Sequence, residues 1–373
     1  MNKRDLAGWS RRRNPPSRQF ITADHDPHFA RISSTTRSIG IVASIVTLSS
    51  SKKASLRGQA QLWPFYALYV KDEVSSELHK SMLSIAESVE QAMLDFQPYL
   101  RRPISTLAAI ASDPIESWMR FREQYAAHRE GHAPPDLYQP DNDWEVRLHS
   151  LINLSAPDEL LSEFRELWSA VMSELQAKGI RAGPESFKGW NDGDAGFVRA
   201  IWCVVRHLKP TTIVETGVAH GVTSRFILEA LERNGNGHLW SIDRPPVEPE
   251  WKQQVGVAVG DRFRDRWSYI LGSSRRRLPD LLTQLGTIDF FIHDSLHSER
   301  NVRFEVDLAW AALRPGGLIV VDDIDVNRGF HSFTQSVPGQ RSLVCEAEPL
   351  RPDSRRHNGK GMFGIAVKER AAR

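Results

Sequence analysis

A chain of 373 residues, 40% hydrophobic and 25% charged, has room for one large domain with appendages or for two domains, with the composition of a globular protein. Its longest apolar run, Ser38 to Leu48, falls short of the roughly 18 residues a bilayer span needs and lies too deep in the chain for a secretory leader, so no membrane attachment is expected. Two cysteines in apolar surroundings, Cys203 and Cys345, exclude a disulfide framework and a cysteine zinc site, and leave the cytoplasm as the expected compartment.

The formal net charge of +2 is unevenly spread. Residues 1–57 hold eleven Lys/Arg against three Asp/Glu, a local excess of +8, and are rich in Ser, Arg and Pro without an amphipathic period. They are expected to be a disordered basic arm, in preference to an arm that binds nucleic acid. Residues 58–190 are expected to form a helical N-terminal region. Val74, Leu78, Met82, Ile85, Val89 and Met93 recur at three- and four-residue steps and predict a helix over 73–96, ended by Pro98. A second helix starts at Asp113-Pro114-Ile115-Glu116, where Asp113 suits the cap, Pro114 the first turn and Glu116 a capping box. Pro134, Pro135 and Pro140 mark a loop over 131–143. A third helix is predicted over 157–177, with Leu160, Phe164, Trp168, Val171 and Leu175 on its apolar stripe.

From residue 191 the pattern changes. A helix over 195–208 stops before Pro210, and short apolar runs then alternate with amphipathic stretches. The runs are 212–216, 238–243, 267–271, 288–294 and 317–323. The helical patterns between them cover 222–233, 247–259, 278–285 and 299–313. This alternation predicts βα units with helices on both faces of a parallel sheet. Two late runs, 342–347 and 362–368, lack an intervening helix pattern and predict an antiparallel hairpin. The expected fold is therefore α/β: a Rossmann-like, seven-stranded, mostly parallel sheet over 191–373 with an antiparallel C-terminal hairpin.

Ligands of such sheets bind beyond the carboxyl ends of the strands. The first strand ends in Glu215-Thr216-Gly217-Val218-Ala219-His220-Gly221, where glycines permit close backbone approach. The second ends in Asp243, whose carboxylate suits a ribose diol. A glycine turn alone identifies nothing beyond a nucleotide-type βαβ unit.

The motifs in order are more specific. Glu215-x-Gly217-x-Ala219-x-Gly221 resembles motif I of class I S-adenosylmethionine-dependent methyltransferases, with Ala219 in place of the middle glycine. Asp243 matches their ribose-binding acid, and Gly272-Ser273-Ser274 follows the strand where that family binds adenine. Leu313-Arg314-Pro315-Gly316-Gly317, running into Asp322-Asp323, resembles the family's fifth-strand turn. Asp294-Ser295-Leu296-His297-Ser298 is similar to a signature of a bacterial subgroup that includes macrocin and cephalosporin-cluster O-methyltransferases and is related to catechol O-methyltransferases. The resemblance covers about half the chain. It implies S-adenosylmethionine held by Glu215, Gly217, Ala219, Gly221, Asp243, Ser273 and Ser274, and methyl transfer to a hydroxyl of a small-molecule acceptor. In metal-using relatives three oxygen ligands hold Mg²⁺ beside the acceptor. Asp294, Asp322 and Asp323 match those positions, and His297 with Asp294 is the candidate catalytic pair.

Bland roles compete with these. Adjacent strand residues face opposite ways, so Asp322 and Asp323 converge on one ion only if the strand ends before them. His293 lies inside a strand run and is expected to be packed. Arg275-Arg276-Arg277 is expected to be a solvated helix start before an anion grip. An oxidoreductase is disfavoured because Gly-x-Gly-x-x-Gly is missing, and a nucleic-acid methyltransferase because no Asn/Asp-Pro-Pro-aromatic motif follows the fourth strand. An oligomer is compatible with the sequence.

Overall fold

In a computed structural model, which describes residues 103–369 except 131–132, 135, 156, 181–193, 245–251, 338–339 and 349–360, seven strands form one sheet. They are β1 (Thr212–Thr216), β2 (His238–Asp243), β3 (Trp267–Leu271), β4 (Ile288–His293), β5 (Leu313–Val321), β6 (Gln340–Glu346) and β7 (Met362–Lys368), in the order β3-β2-β1-β4-β5-β7-β6. The first five are mutually parallel, while β7 runs antiparallel between β5 and β6. The reversal at β1 sends the chain to opposite sides and opens the crevice where such sheets bind ligands.

The central strands β1, β4, β5 and β7 are mostly apolar and buried on both faces, as a sheet covered twice requires. Ile213, Phe290, Leu318 and Val320 enter one core, and Val214, Phe291, Ile319 and Val321 enter the other. Helices α4 (Pro157–Ala177), α5 (Ala195–Leu208) and α6 (Val222–Asn234) build the first layer. Helices α7 (Ser274–Leu285), α8 (Glu299–Ala312) and α9 (Gly329–Ser336) build the second. α4 matches its predicted limits because its stripe is long. Phe164 and Trp168 lie against Phe226 of α6, and the Trp202 indole donates to the Leu160 carbonyl at 3.1 Å.

Before the sheet come α1 (Pro103–Ser112), α2 (Pro114–Glu130) and α3 (Trp144–Leu151). Asp113 accepts the Glu116 amide at 3.0 Å, the bond its cap position predicts. Three described helices lack an expectation from the sequence. α3 buries only Trp144 and Leu148 and α9 chiefly Phe330 and Phe333, too few apolar positions to show a period, while α1 leaves Ile104 and Leu107 exposed. Conversely, the helical pattern over 247–259 is corrected in its described part, where residues 253–259 form turns. The Gly221 and Gly256 backbones meet there, and Gly256 has a positive φ that no helix takes. The basic arm and the expected helix over 73–96 lie outside the described residues.

Candidate active site

The turn after β1 is shaped by chain packing before any ligand is considered. Gly217 has φ +88°, and a Cβ there would lie 1.7 Å from the Asp294 carbonyl oxygen. Its missing side chain therefore lets the first turn touch the turn after β4. Gly221 likewise clears the Gly256 backbone, and Ala219 takes a left-handed φ of 47°. His220 is buried and pairs with Gln254 at 3.1 Å. Glu215 is wholly buried. One carboxylate oxygen accepts from Ser224 at 2.6 Å and from Ser241 at 2.7 Å, and the other has no partner. Burial pushes this carboxyl up to about 8 against those two hydroxyls. Glu215 thus ties β1 to β2 and to the start of α6. Asp243, at the carboxyl end of β2, accepts the Val218 and Arg244 amides and the Tyr269 hydroxyl, and burial raises it to about 6.

On the other side of β1 the ends of β4 and β5 bring titratable groups together. β5 finishes at Val321, so Asp322 and Asp323 lie beyond the strand; the Asp322 amide bonds the His293 carbonyl, and Asp323 has φ 48°. The two side chains diverge in task. Asp323 Oδ2 lies 3.0 Å from His297 Nδ1. One carboxylate oxygen each from Asp294 and Asp322 and one ring nitrogen of His297 lie within 4.8 Å of one another. His297 Nε2, 3.6 Å from Asp294 Oδ1, is buried with no hydrogen-bond partner. Burial disfavours the charged His297 ring, yet the carboxylates of Asp323, Asp294 and Asp322 outweigh it and hold its pKa well above the usual histidine value. Burial and the charges of Asp323 and Asp294 hold Asp322 well above the usual carboxylate range. The structure thus brings Asp294, Asp322, Asp323 and His297 together at one sheet edge. The mutually close trio contains His297 where the sequence pattern had Asp323.

Beneath this edge lies a buried acid that the motifs do not contain. Glu305 of α8 is fully buried and accepts from Thr216, from Ser295 at 2.7 Å and from the Asn301 side chain at 2.8 Å, and pairs with His293 Nδ1 at 2.6 Å. Burial opposes its ionisation, but the His293 ring and the donors hold it down to about 2. His293 is packed, as its place in the strand predicts. The available signal for Glu305 was a charged residue on the sheet-facing step shared by Val302, Val306 and Ala309, where a lone carboxylate is costly.

The arginine run departs from expectation. Arg275 pairs with the buried Glu123 of α2 at 2.7 Å and stacks 4.4 Å from the Phe304 ring; Arg276 pairs with Asp113 at 2.6 Å; Arg277 donates to the Leu271 carbonyl. Ser273, expected to meet adenine, donates to Glu116 at 3.0 Å. The Arg300 amide donates to Glu130 at 3.2 Å. Together these bonds strap α2 to the turns that follow β3 and β4. Ser274 begins α7 beside the strap.

Residues 214–324, which span β1 to the turn after β5, match a family described as "Methyltransferase domain". This segment therefore carries a methyltransferase domain. The methyltransferase domain is similar to solved structures at low identity. One is the O-methyltransferase TomG from Streptomyces achromogenes, involved in tomaymycin synthesis, in complex with SAM; it is 17% identical, with a TM-score of 0.39 over 61% of this chain and 97% of that one. Another is the O-methyltransferase from Bacillus cereus in complex with SAH, 15% identical, with a TM-score of 0.38 over 60% of this chain and 96% of that one. A search of curated proteins finds no match to the chain.

Proposed function

We propose that the domain methylates a hydroxyl of a small-molecule acceptor, with His297 as the general base. The observation that carries this reading is His297, held at Nδ1 by Asp323 at 3.0 Å with Asp294 3.6 Å from its Nε2, at the carboxyl edge of β4. S-adenosylmethionine supplies an electrophilic methyl on a cationic sulfur. Asp243, a carboxylate at the end of β2, suits the ribose hydroxyls, and the turn 217–221 with Glu215 beneath it suits the nucleoside's aliphatic arm. Ser273 and Ser274 flank the position expected for adenine, with Glu116 of α2 already on the Ser273 hydroxyl.

Asp323 fixes the ring so that Nε2 faces the site, the arrangement a base and its orienting carboxylate need. Surrounding carboxylates raise the ring's pKa, so His297 becomes a proton acceptor as pH rises. Asp294, 3.6 Å from Nε2, can receive or relay the acceptor's proton.

A second reading is favoured by the trio of Asp294, His297 and Asp322. Two carboxylates and an imidazole nitrogen this close together, once they give up their protons, fit a divalent cation. An imidazole among the ligands tilts preference from Mg²⁺ toward Mn²⁺ or Zn²⁺. Such an ion would lower the acceptor oxygen's pKa and commit His297 to coordination. The experiment is a screen of phenols and sugars with labelled S-adenosylmethionine, repeated in excess EDTA. Transfer that survives EDTA supports His297 as base. Transfer abolished by EDTA and restored by Mn²⁺ supports the cation. No transfer to any hydroxyl compound, with transfer to an amine or thiol, contradicts O-methylation.

A further inference from the structure

The turn that carries Asp294 and His297 has little regular structure of its own. Between the end of β4 and the start of α8, residues 294–298 form no helix or strand. Besides the Asp294 amide's bond to the Thr216 carbonyl at 2.8 Å and the Asp323 contact of His297, one side chain nearly two turns into α8 gathers their anchorage. Glu305 collects donors from separate pieces of chain: the Thr216 hydroxyl at the end of β1, the His293 ring at the end of β4, the Ser295 hydroxyl within the turn and the Asn301 amide on its own helix. Asn301 extends the anchorage, donating also to the Leu296 carbonyl at 3.1 Å and to Ser295 at 3.1 Å. All of Glu305, His293 and Thr216 are fully buried. A bare packing role would be filled more cheaply by an apolar residue, since an ionised carboxylate in a core costs several kcal/mol unless every lone pair is engaged.

We propose that Glu305 is the positioning residue of the site: it fixes the 294–298 turn so that Asp294 and His297 meet Asp322 and Asp323 across the sheet edge. The inference rests on the reading of Asp294 and His297 as the chemical groups. Glu305 acts on them through Ser295 and through the His293 ring, whose centroid is 5.6 Å from that of His297. Four acceptor contacts hold the turn against the ends of β1 and β4. The carboxylate accepts on both oxygens, whereas an amide in its place turns a donor toward at least one of the same donors.

The test compares the full-length protein with Glu305→Gln and with a control, Glu229→Gln, which removes a buried carboxylate from the ion pairs of Arg225 and Arg262 in the opposite helix layer. Amide hydrogen exchange, the ring resonances of labelled histidine, and calorimetric binding of S-adenosylhomocysteine are the readouts. Glu305→Gln should speed exchange of residues 294–301 by about tenfold or more while residues 222–234 keep their protection. It should also shift the His297 ring resonance, identified by its loss in His297→Gln, and leave the S-adenosylhomocysteine Kd within about threefold, a change of under about 1 kcal/mol. Glu229→Gln should do none of this at 294–301. Should Glu305→Gln fail to fold, Glu305→Asp keeps the charge, withdraws it by one methylene and must show the same local loosening. Unchanged exchange over 294–301 and an unmoved His297 resonance in the folded variant would overturn the proposal. So would uniform loosening of every segment with loss of nucleoside binding. Absence of S-adenosylhomocysteine binding in the unsubstituted protein would instead count against the methyltransferase chemistry while the exchange comparison still decides the role of Glu305.

Discussion

At the scale of single residues, charge placement makes the site legible. Asp323 raises the His297 pKa by facing Nδ1, so its removal must lower it. With an acceptor found by the screen, Asp323→Asn should move the rising limb of the pH–rate profile to lower pH and reduce the maximal rate by about ten- to a thousandfold, as the ring loses its orientation. A limb that stays in place would show that His297 is not the titrating group. Glu215 gives an independent check through stability. Its folded carboxyl is raised to about 8 from an ordinary value of 4.5. A raised carboxyl contributes fully below the unfolded value and loses its contribution as pH climbs through the folded one. The stability difference between the natural protein and Glu215→Gln should therefore shift against the natural protein from about pH 4.5 to 8, as seen in urea midpoints at several pH values. A pH-independent difference would mean that Glu215 ionises freely. The motif supplied Glu215, Asp243, Asp294 and His297 by their position at strand ends. It did not separate Asp322 from Asp323, because which of two adjacent side chains turns inward depends on where β5 stops and on the left-handed backbone of Asp323. Glu305 was visible only as a charge on an apolar stripe, and one of its donors, Thr216, comes from β1, far away in sequence.

At the scale of elements, the turns after β1 and β4 are locked together. A methyl group at Gly217 would collide with the Asp294 carbonyl and sit at a positive φ. Gly217→Ala should therefore cost more than about 3 kcal/mol, combining overpacking with left-handed strain. Denaturant unfolding measures it, and a loss below about 1 kcal/mol would show that the two turns can separate. Helix α2 is held chiefly by side chains, with Glu123 and Arg275 nearly out of solvent. Arg275→Ala leaves the buried Glu123 carboxylate with only the longer Arg122 pair at 3.8 Å, and should raise exchange over 114–130 and lower stability by about 2–4 kcal/mol. Unaltered exchange there would mean that Asp113 and Glu116 suffice. The long helices and the strands were readable from period and alternation. The strap was not, because an Arg-rich helix start looks the same whether solvated or paired, and its partners lie about 150 residues earlier in the chain.

At the scale of the whole molecule, the sheet order and its antiparallel last strand place every candidate residue on one edge. All described residues belong to one compact unit, with core clusters on both faces of the sheet. The central claim is that this edge binds S-adenosylmethionine through Asp243. Calorimetric titration of the full-length protein with S-adenosylmethionine, and separately with NADH, tests it most directly. Saturable S-adenosylmethionine binding without NADH binding is predicted, weakened about ten- to a hundredfold in Asp243→Ala, the worth of hydrogen bonds to a charged group. NADH binding in its place, or S-adenosylmethionine affinity unchanged by Asp243→Ala, would contradict it.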